Sequence, residues 1–140
     1  MNTNNTTNTT ALPLIGRLLL AFIFVFSGIG KIAAPAGTMG YIAAMGLPFP
    51  LIALVGAIGI EVVGGLLLAA GLYTRSAAIV LAVFSVITGV VFHGAIGDQN
   101  QLIHLMKNFA LAGGLLQVAA FGAGSLSLDA RRSAPRLARA

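Results

Sequence analysis

The sequence predicts an all-α fold: an antiparallel, up-down bundle of four helices in a membrane, with both termini on the inner side. Three observations lead there. The chain is 58% hydrophobic and only 8% charged, where a soluble domain is about 45–50% apolar and about 25% charged. Four apolar segments, residues 12–33, 49–72, 76–96 and 102–121, stand out, each near the roughly 20 residues that cross about 30 Å of hydrocarbon as a helix. Runs such as LLLAFIFVF lack the period-two alternation of barrel strands, which leaves helices as the way to satisfy the backbone in lipid.

Each element follows from local chemistry. The opening MNTNNTTNTT is polar and uncharged; it buries little apolar surface and is expected as a disordered tail over residues 1–11. Nothing basic precedes Arg17, and the apolar run behind it is long, which argues against a cleaved secretory signal despite a faint cleavage-like KIAAPAG. Between the first two spans, PAGTMGYIAAMGLPFP has room for a short interfacial helix around residues 38–45, closed by Pro48 and Pro50. GLYTRS is a tight turn that makes the second and third spans antiparallel neighbours. GAIGDQNQ joins the third to the fourth. The spans form one domain over residues 12–122, followed by a basic tail over 123–140 with Arg131, Arg132, Arg136 and Arg139. With the N-terminus inside, the inner side collects these four with Arg17 and Arg75, against Lys31 and Lys107 outside. That bias predicts both termini cytoplasmic in a bacterial-type inner membrane. Basic residues beside a span point to topology and lipid headgroups, not nucleic acid. EVVGGLLLAAG and ALAGGLLQVAAFG echo each other weakly, as two copies of a two-helix unit would.

Polar side chains within the spans are the functional candidates, because each is costly in hydrocarbon. Arg17, Phe24 and Lys31 are seven residues apart and share a helix face that should point into the bundle. Ala21 and Gly28 flank it, with Ser27 at its edge. Glu61 lies beside Ala57, Gly64 and Gly65 on the second span, small residues that admit a neighbouring helix or a long cation. His93 ends the third span. His104, Lys107 and Asn108 open the fourth, and His104 and Asn108 share a face. Gln117 lies deeper. The sum is a mainly cationic outer pocket above one carboxylate. Lys31 and Lys107 can equally well snorkel to the interface. Glu61 has three readings: an ion pair with Arg17 or Lys31 that fixes helix register, a ligand or proton site, or a protonated hydrogen-bonding group. His93 and His104 raise a haem or metal reading, which two histidines near a loop support poorly. The glycine pairs 64–65 and 113–114 read as packing devices. The three acids, Glu61, Asp98 and Asp129, fall in a span, a loop and a tail, so the chain carries no self-contained catalytic constellation. Cysteine is absent, which excludes intrinsic dithiol chemistry.

RLLLAFIFVFSGIGK, EVVGGLLLAAGLYTR and KNFALAGGLLQ together resemble the DoxX family of small bacterial four-helix membrane proteins, over about residues 12–122. The shared pattern is an early basic residue, S-G-x-G-K closing the first span, E-x-x-G-G in the second, T-R after it and K-N in the fourth. By position, Arg17, Lys31, Glu61, Arg75, Lys107 and Asn108 carry this polar signature. The resemblance implies a subunit of a membrane redox system, linked to quinol oxidation, thiosulfate:quinone oxidoreduction or oxidative and thiol stress. The cofactor is left open by the sequence; a quinone-like ligand in a pocket lined by Lys31, Glu61, His93 and Lys107 is one hypothesis consistent with that role. The bilayer, a membrane or soluble redox protein and further copies of the chain are the candidate partners. Two alternatives stand beside this: a scaffold or assembly partner whose ion pairs hold the bundle together, and a small anion or proton carrier.

Overall fold

The computed structural model describes the backbone of residues 4–133 and the side chains of residues 11–133. Among the described residues the chain is entirely helical: α1 Asn4–Ala33, α2 Pro35–Ala44, α3 Pro50–Ala70, α4 Thr74–His93, α5 Gln99–Phe121 and α6 Leu128–Ser133. Four are long and apolar enough to span a membrane: Ala11–Ala33 within α1, then α3, α4 and α5. They run up and down, forming a membrane bundle as the composition predicts. α2 sits at one end of the bundle and α6 at the other.

Several boundaries differ from expectation. The backbone of residues 4–10 continues α1 instead of forming an irregular tail, since a long apolar span has already met the nucleation cost and extension adds one residue at a time. Residues 1–3 lie outside the described residues. α2 begins at Pro35, three residues earlier than expected, because proline at the first helical position needs no intrahelical donor. The basic segment after α5 is helical in part. Residues 128–133 form α6, which docks on the α3–α4 turn, while Arg136 and Arg139 lie outside the described residues.

The bundle is built from two tight helix pairs, α1 with α3 and α4 with α5, joined by a thinner α3–α4 seam. Glycine sets the closeness of the first pair. A Cβ on Gly28 would meet Val62 Cγ2 at 2.6 Å, and one on Gly65 would meet Val25 Cγ2 at 2.7 Å. Valine of each helix thus sits over glycine of the other. Gly64 receives Leu81 of α4, and Gly89 receives Asn108 of α5. The second glycine pair departs from its expected role. Gly113 is exposed with open space beside it, and only Gly114 approaches another helix, at Leu20. Gln117 is likewise exposed. The echo between the two glycine-pair segments therefore does not extend to their packing. The core proper is Ala21, Phe24, Leu68, Ala78, Leu81, Ala82, Ala112 and Leu115.

The α6 end is closed by polar contacts. Gly71 caps α3 in the left-handed region, at φ 67°, and Asp129 N–H donates to its carbonyl at 2.8 Å. The Asp129 carboxylate accepts from the N–H groups of Tyr73 and Thr74, both at 2.9 Å. It thereby caps α4 from a distant part of the chain. Arg132 lies over the Tyr73 ring, 5.1 Å from its centroid. Desolvation pushes the Asp129 carboxyl up. The N–H and nearby hydroxyl of Thr74, the N–H of Tyr73 and the charge of Arg132 together outweigh it and hold the group below its ordinary value.

Two predictions follow from this end of the bundle. Gly71→Ala places a Cβ at positive φ and against the Arg17 guanidinium and Ser127. Its thermal stability in detergent should fall by at least about 1–2 kcal/mol, whereas Gly59→Ala, with open space around it, should be neutral or slightly stabilising. Asp129→Ala should cost about 1 kcal/mol at pH 6. Because the folded carboxyl is depressed, that contribution is complete above the unfolded value of about 3.9 and is lost as the pH falls through the folded value. Melting curves of wild type and variant should therefore converge only as the pH falls below the depressed folded value.

Candidate functional site

α1 supplies two of the buried charges, and the structure separates them. Glu61 stands 11 residues into α3, roughly 16 Å along its axis, near mid-span. The close α1–α3 approach places it beside Ser27 and Lys31. Lys31 Nζ lies 2.8 Å from Glu61 Oε2 and donates to Oε1 at 2.9 Å. Lys31 also donates to Ser27 Oγ at 2.8 Å, and Ser27 donates to Glu61 Oε1 at 3.1 Å. The Glu61 side chain is 6% exposed and that of Lys31 24%. Oε1 is therefore doubly satisfied. Oε2 has the ammonium close by but accepts no aligned hydrogen bond.

Arg17 does not join this pair. It is fully buried at the α6 end. Nη1 donates to Leu68 O at 3.3 Å and Nη2 to Leu126 O at 2.7 Å. Of the two cations expected near Glu61, Lys31 pairs with it and Arg17 ties α3 to the segment before α6. The physical reason is length: the seven-residue steps put both on one face, but about 21 Å apart along the helix.

Lys31 and Glu61 line a partly open cavity of about 670 Å³ among α1, α2, α3 and α4. Its walls are mainly apolar or aromatic, with Ile42, Leu47, Phe84 and Phe92 among them. Tyr41 of α2 closes over it, its ring tilted at 33° to that of Phe92 with centroids 5.4 Å apart and its hydroxyl donating to Phe92 O at 3.2 Å. Thr88 lines the wall, with its hydroxyl donating to Phe84 O at 2.8 Å. His93 lines the α2 end of the cavity.

The other expected residues fall outside. His104 stacks on His93 with centroids 4.8 Å apart, behind the cavity wall. Asn108 donates to His104 O at 2.9 Å and packs on Gly89. Lys107 is exposed and does not line the cavity, because residue 107 is turned a quarter of a helix away from 108. Arg75 belongs to a smaller cavity at the α6 end, with Asp129 and Ser127. Sequence reasoning missed Tyr41, Thr88 and Phe92. The i, i+4, i+8 spacing of Phe84, Thr88 and Phe92 marks one helix face and is a usable signal. Nothing local places Tyr41 there.

Fold and site together define a small four-helix integral membrane protein with an ion pair on the wall of a mostly apolar intramembrane cavity. Residues 12–94 match the DoxX family model. The chain belongs to the DoxX family. It is 37% identical over 116 residues to the inner membrane protein YqjF of Escherichia coli K12, covering 83% of this chain and 88% of the relative. It is 33% identical over 127 residues to the inner membrane protein YphA of the same organism, covering 86% and 89%. No solved structure matches the chain.

Breaking the ion pair from either side should destabilise the bundle. Lys31→Met and Glu61→Gln should each cost about 1–3 kcal/mol, the penalty of a buried polar group left without its partner. The double variant should lose less than the sum, with a coupling of about 0.5–3 kcal/mol in a double-mutant cycle of thermal melts. Lys107→Ala should stay within about 0.5 kcal/mol of wild type.

Proposed function

We propose that this chain is a non-catalytic or cofactor-dependent subunit of a quinone-linked membrane redox system, and that its cavity holds the quinone. The observation that carries the reading is Glu61 Oε2: a buried carboxylate oxygen without an aligned donor, beside an ammonium, on the wall of an otherwise apolar cavity. A ligand with a polar ring head and a long apolar tail suits that division. Its head would reach the Lys31–Glu61 pair, with Phe84 and Phe92 along the ring and the tail leaving between helices. About 670 Å³ falls within the usual range for small-ligand pockets, roughly 300–1,000 Å³. The Lys/Arg bias supports both termini cytoplasmic, which turns the α2 end and the cavity mouth toward the periplasm. A redox protein partner would supply or take the electrons.

A second reading is favoured by the mutual hydrogen bonds among Lys31, Ser27 and Glu61 Oε1: the pair is glue in an assembly scaffold. One purification separates the two. Protein extracted in mild detergent should release a quinone on solvent extraction, and added short-chain quinone should raise its Tm. Glu61→Gln should abolish the Tm response. No recovered quinone and no Tm response in wild type would remove the quinone reading. Loss of a co-purifying protein in Glu61→Gln, without any quinone, would favour the scaffold.

A further inference from the structure

The polar groups on the cavity wall can be accounted for one by one. Thr38 donates to Ala34 O, Tyr41 to Phe92 O and Thr88 to Phe84 O. Lys31, Ser27 and Glu61 Oε1 are engaged with each other, and Glu61 Oε2 faces the Lys31 ammonium at 2.8 Å. His93 differs. Its Nδ1 lies 2.8 Å from Gln101 Oε1. With the Gln101 carboxamide oxygen as acceptor, the neutral tautomer that fits this contact carries its hydrogen on Nδ1 and presents Nε2 as a bare lone pair. Gln101 is itself held in the first turn of α5, where its N–H donates to Asp98 Oδ1 at 2.9 Å. Gln101 does not line the cavity, and the His104 ring covers the far face of His93.

We propose that His93 is the residue through which the cavity exchanges a proton with the solution at the α2 end, and that Gln101 is the positioning residue that selects Nε2 for the task. The inference rests on the quinone reading and adds to it the proton linkage of the site. Neutral His93 accepts a hydrogen bond from a ligand hydroxyl at Nε2. Protonated His93 donates from the same nitrogen to a ligand carbonyl. If the hydroxyl ionises, its O–H bond breaks, an N–H bond forms at Nε2, and the proton leaves to water from the partly exposed ring. The charged and titratable groups around His93 are His104 on α5, Tyr41 on α2, the Lys31–Glu61 pair across the cavity, and Asp98, which is committed to Gln101 N–H. His104 stacks on the His93 ring, with centroids 4.8 Å apart.

The test uses a hydroquinone and its oxidised quinone as paired probes: 2,3-dimethoxy-5-methyl-hydroquinone, kept reduced with ascorbate, and the matching benzoquinone. Affinities for detergent-purified full-length chain are measured from about pH 8 to about pH 5, the range in which imidazoles change charge. The hydroquinone-to-quinone affinity ratio should fall by roughly tenfold, the worth of one net hydrogen bond. In His93→Gln the ratio should become flat. Gln101→Leu, outside the cavity, should keep binding and shrink the pH dependence as the tautomers mix. The chain has two histidines, so ¹⁵N spectra of ligand-free protein, assigned with His104→Gln, should show His93 as the Nδ1–H tautomer. An unchanged pH profile in His93→Gln, or an Nε2–H tautomer in wild type, overturns the proposal. Binding of both probes with no pH linkage overturns it and leaves the quinone reading standing. Binding of neither probe removes both.

Discussion

The close approach of α1 and α3 is the constraint on which the rest depends. Gly28 and Gly65 each receive a valine from the opposite helix, and a side chain at either position would push the pair apart. Only at that separation can Ser27 and Lys31 reach Glu61. A carboxylate near mid-span is tolerated in hydrocarbon only with partners supplied by the protein. The packing therefore comes first and makes the charge affordable. The cavity is the complement of the same fact. α1 and α3 are closely packed, α3 and α4 are joined by a thinner seam, and the space left towards the α2 end is roofed by α2 and lined by α4.

The opposite end solves a different problem. A helix terminus in or near lipid leaves unpaired carbonyl and N–H groups. At the junction of α3 and α4 these are met by residues brought from far along the chain. Arg17 donates to a carbonyl of the last turn of α3 and to Leu126 O, and Asp129 caps the first turn of α4. Gly71 is required there twice over, by its positive φ and by the guanidinium beside it. The segment after α5 thus completes the bundle, with Asp129 and Arg132 both meeting the α3–α4 turn.

The bundle was legible because it is written in composition and run length, which survive any detail of packing. The shared inward face of Arg17 and Lys31 was legible too, since helical periodicity alone puts residues seven apart together. What periodicity omits is distance along the axis, so it left Glu61 with two candidate cations where the structure gives it one. It also placed Lys107 beside Asn108 in the pocket, although adjacent residues on a helix diverge by about 100°. Asp129 was read as part of a tail because capping from a distant segment leaves no local pattern. Tyr41 was invisible for the same reason: its role depends on how α2 folds back over Phe92. Local rules located the elements, and contacts between distant segments decided the site.

The two buried charges of α1 also argue about purpose by their contrast. Arg17 is enclosed on all sides, and its hydrogen bonds go to backbone carbonyls, as expected of a structural clamp. Lys31 and Glu61 are unlike it. Glycine and valine already bring α1 to α3, so an ion pair is not needed to make that contact. Replacing a buried pair with well-packed apolar residues is often neutral or stabilising. Glue alone is therefore a poor reason to keep a carboxylate at mid-span. The feature that sets the pair apart from Arg17 is that it borders a cavity and that its cation has a partly exposed side chain. That asymmetry places the structural role at the α6 end and makes the α2 end the place to look for a ligand.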